Sequence, residues 1–307
     1  MRTTMMGAFS WMALVVLFAA SGCRGTVREE GTGSPLEQAA KAYAAAECEK
    51  ELECMPFYAK AAFGEQPECE AAIGPFLVYL LTFPEMVSSP DDILHCAEGL
   101  KAASCSAFLN GTITGCDIAG TRADGGACGG PGQCESGYCY NPYAGGCGVC
   151  ETPKAIGEAC TGDFQFGDCA PGAFCGSAHK CVPTPLNVGD PCPEYYCGEL
   201  LRCDSGVCAA LQGVGAECHL DSDCDWPNGL SCDFTTSTCV QGHLAAPGES
   251  CAAEHTRCIA SGICDATSKK CVARSKTGEA CPGENTCQVD NDCVNGTCQA
   301  IPFATCE

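Results

Sequence analysis

The pattern of apolar and polar residues divides the chain into two parts. From Ser34 to about Gly120, apolar residues recur at the three- and four-residue spacing of an amphipathic helix. The first run begins at Ser34-Pro35-Leu36-Glu37, which is typical of a capping box with proline at the first helical position. We expect this helix to end near Cys54, before Pro56. Its recurring apolar positions are Leu36, Ala39, Ala40, Tyr43 and Ala46.

A second helix is predicted to begin at Ser89-Pro90-Asp91-Asp92, where the acidic residues suit the positive end of the helix dipole. Between the two helices, an apolar run follows Gly74-Pro75 and extends from Phe76 to Phe83. Its periodicity fits a helix or a buried strand, and we favour a helix because the surrounding sequence is rich in alanine. The apolar face of the second helix consists of Ile93, Cys96, Ala97 and Leu100.

Six cysteines lie in residues 34–120, and three disulfides between them would staple a small α-helical bundle. Six cysteines allow many connectivities, and their spacing alone does not choose among them. They are Cys48, Cys54, Cys69, Cys96, Cys105 and Cys116.

The second part of the chain, from Gly125 onward, is repetitive. Six pairs in which a glycine stands three residues before a cysteine recur at intervals of 26 to 33 residues. Such self-similarity predicts tandem modules. The six glycine–cysteine pairs are Gly125/Cys128, Gly157/Cys160, Gly189/Cys192, Gly215/Cys218, Gly248/Cys251 and Gly278/Cys281. The modules they define cover about residues 125–156, 157–188, 189–214, 215–247, 248–277 and 278–307.

Each module is predicted to end in a β-hairpin with a cysteine on either strand. Turn-forming residues separate these cysteines, as in Thr235-Thr236-Ser237 and Thr267-Ser268-Lys269. A unit of this size is below the roughly 40 residues that can form a core without cross-links, so disulfides must replace one. The predicted fold class is therefore small and disulfide-rich, with an N-terminal six-cysteine α-helical bundle followed by tandem cysteine-rich β-hairpin modules. We expect the modules to form a rod.

The cysteine count supports this fold, because 33 of 307 residues exceed the usual limit for a disulfide scaffold. Four cysteines occur in each middle module and five in each end module, so at least one disulfide must leave its module. The end modules contain Cys128, Cys134, Cys139, Cys147 and Cys150, and Cys281, Cys287, Cys293, Cys298 and Cys306. The middle modules contain Cys160, Cys169, Cys175, Cys181, Cys192, Cys197, Cys203, Cys208, Cys218, Cys224, Cys232, Cys239, Cys251, Cys258, Cys264 and Cys271.

The amino terminus has the features of an export signal. The apolar run Trp11 to Ala20 follows Arg2 and is shorter than the roughly 20 residues of a membrane-spanning helix. Ala20-Ser21-Gly22-Cys23 resembles a bacterial lipoprotein signal, and this resemblance implies cleavage before Cys23 and its lipidation. Residues 1–22 would be the signal peptide and 23–33 a lipidated tether, with the protein on the bacterial cell envelope, at the outer membrane or cell surface. The alternative is ordinary secretion, with Cys23 lost or unpaired.

The net charge and the spacing of the cysteines and acidic residues limit the ligands that the protein can bind. With 16 basic and 38 acidic residues the net charge is -22, which excludes nucleic acid as a partner. The closely spaced pair Cys147-Gly148-Val149-Cys150 lacks the second pair that a zinc site needs, so we interpret it as a junction of disulfides. No metal and no cofactor are predicted. Five acidic residues alternate with other residues as calcium ligands do, but acids beside a cysteine are typical of turns, and we interpret them as turn residues: Asp221, Asp223, Asp225, Asp290 and Asp292.

The sequence predicts a protein that is not an enzyme. It has no Gly-x-Ser-x-Gly elbow, and pairing leaves no spare thiol as a nucleophile. Aromatic residues could form a sugar or protein contact surface, although a role in covering disulfides is favoured, and a basic cluster is interpreted as a solvated turn. The aromatic residues are Tyr138, Tyr140, Tyr143, Tyr195 and Tyr196, and the basic residues are Lys269, Lys270, Arg274 and Lys276.

The repeats carry a resemblance to a known family. The run from Gly215 through Cys218, Cys224 and Cys232 to Cys239 resembles the short Dickkopf N-terminal-like cysteine-rich repeats of bacterial surface proteins. With the signal and the helical region, the chain is similar to uncharacterised cysteine-rich lipoproteins common in myxobacteria. This resemblance implies an architecture and no activity. The third and sixth modules depart from the repeat pattern, and we expect them to fold differently.

These features predict a non-catalytic, membrane-anchored surface lipoprotein that acts as a disulfide-stapled binding, adhesion or spacer module. Its partners would be the membrane, through the lipid anchor, and an extracellular protein or polysaccharide of unknown identity. Two alternatives remain: a protease inhibitor that displays bridged loops such as Cys251 to Cys258, and an enzyme housed in the helical domain.

Thiol counting tests the pairing. Removing Cys23 from the 33 cysteines leaves 32, which can form 16 pairs. We expect no free thiol when the mature chain is denatured without reductant and treated with a maleimide whose addition is read by mass spectrometry. More than one modified thiol per chain would contradict complete pairing.

Overall fold

The computed structural model describes residues 34–81, 86–116, 119–140, 147–161, 168–192, 194, 196–276, 278–281, 286–287, 291–300 and 306. Helices come first along the chain and small, mostly antiparallel sheets follow, with many disulfides. This confirms the coarse prediction of a disulfide-rich fold of helices and hairpins. The signal peptide, Cys23 and the tether lie outside the described residues. Within those residues, no helix combines the length and apolarity that crossing a membrane requires.

The helical part begins as its capping residues predict. Its helices are α1 (Pro35–Cys54), α2 (Pro56–Ala62), α3 (Gln66–Leu81), α4 (Pro90–Ala102) and α5 (Cys105–Leu109). Ser34 forms the predicted capping box, since its hydroxyl accepts from the Glu37 N–H at 3.2 Å and its own N–H donates to the Glu37 carboxylate at 2.6 Å. Ser89 and Asp92 form the equivalent box at α4. The predicted apolar face of α4 is buried.

The favoured helical interpretation of the central apolar run is confirmed as far as Leu81, and residues 82–85 lie outside the described part. The helix starts much earlier than the run, so Pro75 lies inside it. Proline lacks the N–H of a helical hydrogen bond and usually breaks a helix. Here Cys69 and Ile73 are buried against α1, and this packing stabilises the helix ahead of the proline.

Helix α1 lies at the centre of the helical part and packs against α3 and α4. One buried cluster lies between α1 and α3, and a second joins α1 to α4 and α5. Three disulfides follow the same contacts, because each joins helices or segments that already pack together. The pairs are Cys48–Cys69, Cys54–Cys105 and Cys96–Cys116.

The modules are built from short strands. The strands are β1 (Ala127–Cys128), β2 (Cys139–Tyr140), β3 (Gly148–Cys150), β4 (Ala173–Cys175), β5 (Cys181–Pro183), β6 (Leu201–Asp204), β7 (Val207–Ala210), β8 (Leu230–Asp233), β9 (Thr238–Gln241), β10 (His243–Ala245), β11 (Thr256–Cys258), β12 (Ile263–Cys264), β13 (Cys271–Val272), β14 (Asn291–Val294) and β15 (Thr297–Ala300). Each module contains an antiparallel pair with two cysteines directly opposite each other, as Cys232 and Cys239 are on β8 and β9. The predicted hairpins are therefore confirmed.

Opposed cysteines of a hairpin do not bond to each other. In a middle module the first cysteine pairs with the third and the second with the fourth, as in Cys218–Cys232 and Cys224–Cys239. The third and sixth modules follow the same order, so the expectation that they fold differently is wrong. Their irregular spacing changes loop length and leaves the crossed disulfide pair in place.

The glycine that marks each module has a conformational reason to be glycine. All six have a left-handed φ between 80° and 93°, a region that other residues rarely adopt. The Gly215 N–H donates to the Cys239 carbonyl at 2.8 Å, and the Cys239 N–H donates to the Ala216 carbonyl at 2.8 Å. In the other modules the N–H of the corresponding glycine donates to the carbonyl of the cysteine on the second strand of the hairpin. This turn therefore joins the start of each module to its hairpin by backbone hydrogen bonds.

The array does not form a rod. Cys147 of the first module bonds to Cys306 of the last across a separation of 159 residues, so the chain returns to its starting point and the expected rod is wrong. The prediction that a disulfide joins modules is confirmed. The array also contacts the helical part on the way: Glu199 N–H donates to Asn110 Oδ1 at 3.2 Å, and Ala260 N–H donates to the Lys60 carbonyl at 3.1 Å.

Replacing Gly215 tests the role of this turn. We expect Gly215→Ala to lower the free energy of unfolding by about 1–2 kcal/mol, because alanine is strained at a left-handed φ. The urea midpoint, read from the fluorescence of Trp226 in the same module, measures the change. Gly213→Ala is the matched control, since Gly213 has an ordinary φ and open space at its Cβ position. Equal effects of the two substitutions would contradict the conformational explanation.

Candidate binding cleft

The junction of α2 with modules four and five is fixed by hydrogen bonds at a helix end. The last carbonyls of a helix have no partner within the helix. At the end of α2, the Lys60 carbonyl accepts from Ala260 N–H at 3.1 Å and the Ala61 carbonyl accepts from Ser261 N–H at 2.8 Å. The Ser261 hydroxyl donates to the Ala62 carbonyl. Module five thus caps the helix and is held against the helical part.

Aromatic packing holds module four at the same junction. A Cβ atom at Gly229 or Gly242 would overlap the Phe57 ring, so the ring lies directly against the backbone of module four. Tyr58 packs edge-on against Trp226, with ring centroids 5.6 Å apart. Phe57 and Tyr58 are neighbours on α2, so one short helix contacts the module at two points.

A cleft of about 410 Å³ opens between α2 and the two modules. This volume lies in the range of small-molecule and side-chain binding sites. Its walls include three aromatic rings, three carboxylates, one guanidinium, one imidazole and several hydroxyls. The lining residues are Phe57, Tyr58, Asp221, Gly229, Ser231, Cys232, Asp233, Phe234, Thr235, Gly242, Glu254, His255 and Arg257.

Tyr58 connects the aromatic and charged groups of the cleft. The guanidinium carbon of Arg257 lies 4.7 Å from the centroid of the Tyr58 ring, which is the geometry of a cation–π contact. Burial raises the pKa of Tyr58, and Asp221 raises it further, while the charge of Arg257 and its hydrogen bond to Tyr58 oppose this rise. The phenol therefore stays protonated, and the cleft holds a cation of its own against an aromatic face.

Ser231 and His255 form a second contact between modules four and five. Ser231 Oγ and His255 Nδ1 lie 2.7 Å apart and share a hydrogen bond. A hydroxyl bonded to an imidazole is the first contact of a nucleophile–base pair. In this position it also joins the two modules at the floor of the cleft, and a structural role accounts for it.

The acidic residues that the sequence analysis compares with calcium ligands bond to nearby groups in turns, as predicted for turn residues, where the structure describes them. Asp221 Oδ1 accepts from Cys232 N–H at 2.9 Å, and Asp223 Oδ2 accepts from His219 N–H at 2.8 Å and from Leu220 N–H at 2.9 Å. Asp225 accepts from the Asn228 side chain at 2.9 Å. Asp290 and the side chain of Asp292 lie outside the described part.

Of the aromatic residues predicted as a contact surface or a disulfide cover, those that the structure describes do not line the cleft. Tyr196 packs against Phe174, with centroids 4.7 Å apart, and burial raises its pKa to about 12. Burial also raises the pKa of Tyr138. Tyr140 lies on β2, whereas Tyr143 and Tyr195 fall outside the described residues.

The remaining predicted clusters have structural roles. In the basic cluster, Arg274 Nε donates to the Ser261 carbonyl at 2.7 Å and Nη1 donates to the Cys287 carbonyl at 3.1 Å, so it joins modules five and six. The close pair Cys147 and Cys150 forms two separate disulfides, to Cys306 and Cys134. Trios of cysteine sulfurs lie within 4.8 Å of one another in several modules, but they belong to disulfides and are not the thiolates that bind zinc.

Two carboxylates that are buried in α1 are not among the candidate residues that the sequence indicates. Glu47 and Glu51 are 6% and 2% exposed, and Oε2 of each lacks a hydrogen-bond partner within the described structure. Burial raises the pKa of Glu47 to about 7, and burial together with the charge of Glu47 raises that of Glu51 to about 8. Glu47 and Glu51 follow Tyr43 at successive intervals of four residues, which places them on the same face of α1 as this apolar position. This spacing could have identified them from the sequence.

Comparison with known proteins gives no match of the chain to a protein-family model, a curated protein or a solved structure. The class of the protein therefore rests on its own structure. It is a disulfide-rich protein in which helices and small antiparallel hairpin modules together form a cleft.

The buried carboxylates make stability depend on pH. In the unfolded chain both groups have a pKa near the ordinary value of 4.5, whereas in the folded chain the values are about 7 and about 8. The folded state therefore binds more protons, and stability is lost as pH rises from about 4.5 to 8. We expect Glu47→Gln/Glu51→Gln to flatten the fall in melting temperature over this range.

The exposed Glu49 on the same helix provides the control. Glu49→Gln should leave the slope of melting temperature against pH unchanged. A double variant whose slope equals that of the parent would show that the buried carboxylates do not cause the dependence.

Proposed function

We propose that the protein is a non-catalytic, membrane-anchored surface lipoprotein that binds an extracellular partner. The observation that carries this proposal is the cleft at the junction of α2 with modules four and five. Its walls come from three separately cross-linked units, and disulfides adjoin it at Cys232 and Cys258. A cleft with such fixed walls loses little conformational freedom when a partner enters, which favours binding.

Two features support the anchored, extracellular part of the proposal. Sixteen disulfides pair 32 cysteines in the described structure, and such density is typical of an oxidising compartment outside the cytosol. Cys23 remains outside this set and follows the sequence features of a lipoprotein signal. We propose that its acyl chains hold the protein at the envelope and that the six-cysteine helical part folds as a bundle near the anchor.

The alternative of a protease inhibitor is not supported by the position of the loop from Cys251 to Cys258, which would have to act as the bait. A bait loop must project into a protease, whereas β11, within the loop from Cys251 to Cys258, pairs in parallel with β10. In the same loop His255 contacts Ser231 and Arg257 lies over Tyr58. An activity in the helical domain stays a prediction, and the buried carboxylates Glu47 and Glu51 are its candidate groups.

Lipid labelling tests the anchor. We expect the protein, expressed in a bacterium with lipoprotein processing, to incorporate an alkyne-tagged fatty acid and to enter the detergent phase of a Triton X-114 separation. Cys23→Ala should abolish both because the acceptor thiol is gone. Ser21→Ala keeps a small residue before the cysteine and should behave as the parent. Labelling of Cys23→Ala at the parent level would refute the anchor.

A further inference from the structure

The cleft rim contains an exposed aromatic side chain that is not part of the buried cluster of its module. Phe234 is 66% exposed and lies in the hairpin turn of module four, directly after Asp233. The equivalent turn of module five has Ala266 after Asp265. In both turns the acid bonds to the backbone of the turn, since Asp233 Oδ1 accepts from Thr235 N–H at 2.8 Å and Asp265 Oδ1 accepts from Ser268 N–H at 2.6 Å. The turn itself therefore does not require phenylalanine, and the exposed ring of Phe234 is accessible to a ligand in the cleft.

Charge in the cleft favours a cationic occupant. Its lining contains the carboxylates Asp221, Asp233 and Glu254 against the single guanidinium of Arg257. Arg257 already lies over Tyr58, and Asp221 is near enough to raise the pKa of the Tyr58 phenol. Asp233 and Glu254 line the same cleft as Phe234, and among the described residues neither forms an ion pair with a cation of the cleft. The whole chain, at a net charge of -22, adds to the negative potential that attracts a positive ligand.

An aromatic face next to carboxylates is the chemistry that recognises lysine and arginine side chains. The ring attracts the cation through its quadrupole, and the carboxylates neutralise the charge. The contact of Arg257 with Tyr58 shows this arrangement within the same cleft.

We propose that the cleft binds a basic peptide segment of an extracellular partner, with a lysine or arginine side chain stacked on Phe234 and facing Glu254. This inference rests on the proposed binding function and names its ligand class. A saccharide would also stack on an aromatic ring and donate its hydroxyls to carboxylates, but a neutral ligand is not attracted by the excess of negative charge.

Fluorescence polarisation with the full mature chain tests the ligand class. The probe is fluorescein-labelled tetra-arginine, measured at about 0.15 M salt so that charges beyond roughly 8 Å are largely screened. We expect Phe234→Ala and Glu254→Gln each to weaken binding about fivefold or more. Phe234→Ala gives the residue found at the equivalent position of module five, so its urea midpoint should equal that of the parent.

Glu135→Gln is the matched charge control, because Glu135 is exposed in module one and lies outside the cleft. It should leave the affinity for tetra-arginine unchanged. Equal losses in Glu135→Gln and Glu254→Gln would show that binding follows net charge alone, and this would overturn the proposal.

Competition separates the ligand class from the binding function. Unlabelled tetra-arginine should displace the probe, and chitotetraose and maltoheptaose should not. If a labelled saccharide binds with a dependence on Phe234 and tetra-arginine does not bind, the peptide proposal fails while the binding function stands. If neither probe binds, the ligand class fails, and the lipid labelling of Cys23 still decides the membrane anchor independently.

Discussion

Crossed disulfides are the constraint on which the rest of this structure depends. A module of about 30 residues cannot bury enough apolar surface to be stable, so its interior consists largely of cystine sulfur. Bonding the first cysteine to the third and the second to the fourth ties the loop half of a module to both strands of its hairpin. The side chains outside these bonds are then free to vary, which is why Phe234 and Ala266 occupy equivalent turns.

The small core of each module also explains how the modules are arranged. Modules that bury little surface of their own gain stability by packing against the helical part, which offers carbonyls at the end of α2 and the rings of Phe57 and Tyr58. The disulfide between Cys147 and Cys306 closes the array and limits how far its ends can separate. The cleft is a product of this arrangement, since none of its three walls forms it alone.

The helical part buries two carboxyl groups at positions where apolar side chains would make the folded protein more stable. Glu47 and Glu51 are buried side chains of α1, and burial raises the pKa of both because it disfavours their charged forms. Natural proteins tolerate such groups at a cost in stability. The disulfides of the helical part, including Cys48–Cys69 one residue away, offset a cost of this kind.

The sequence by itself determined the local structure of this protein. Capping boxes predicted the starts of α1 and α4, and the recurring glycine predicted six modules, because hydrogen bonds and backbone conformation act over a few residues. The odd counts in the end modules required a disulfide between modules. Only the tertiary structure decided the connectivity, the closed array and the cleft, because these depend on contacts between residues such as Tyr58 and Arg257 that are far apart in the chain. Spacing along a sequence carries no information about such contacts.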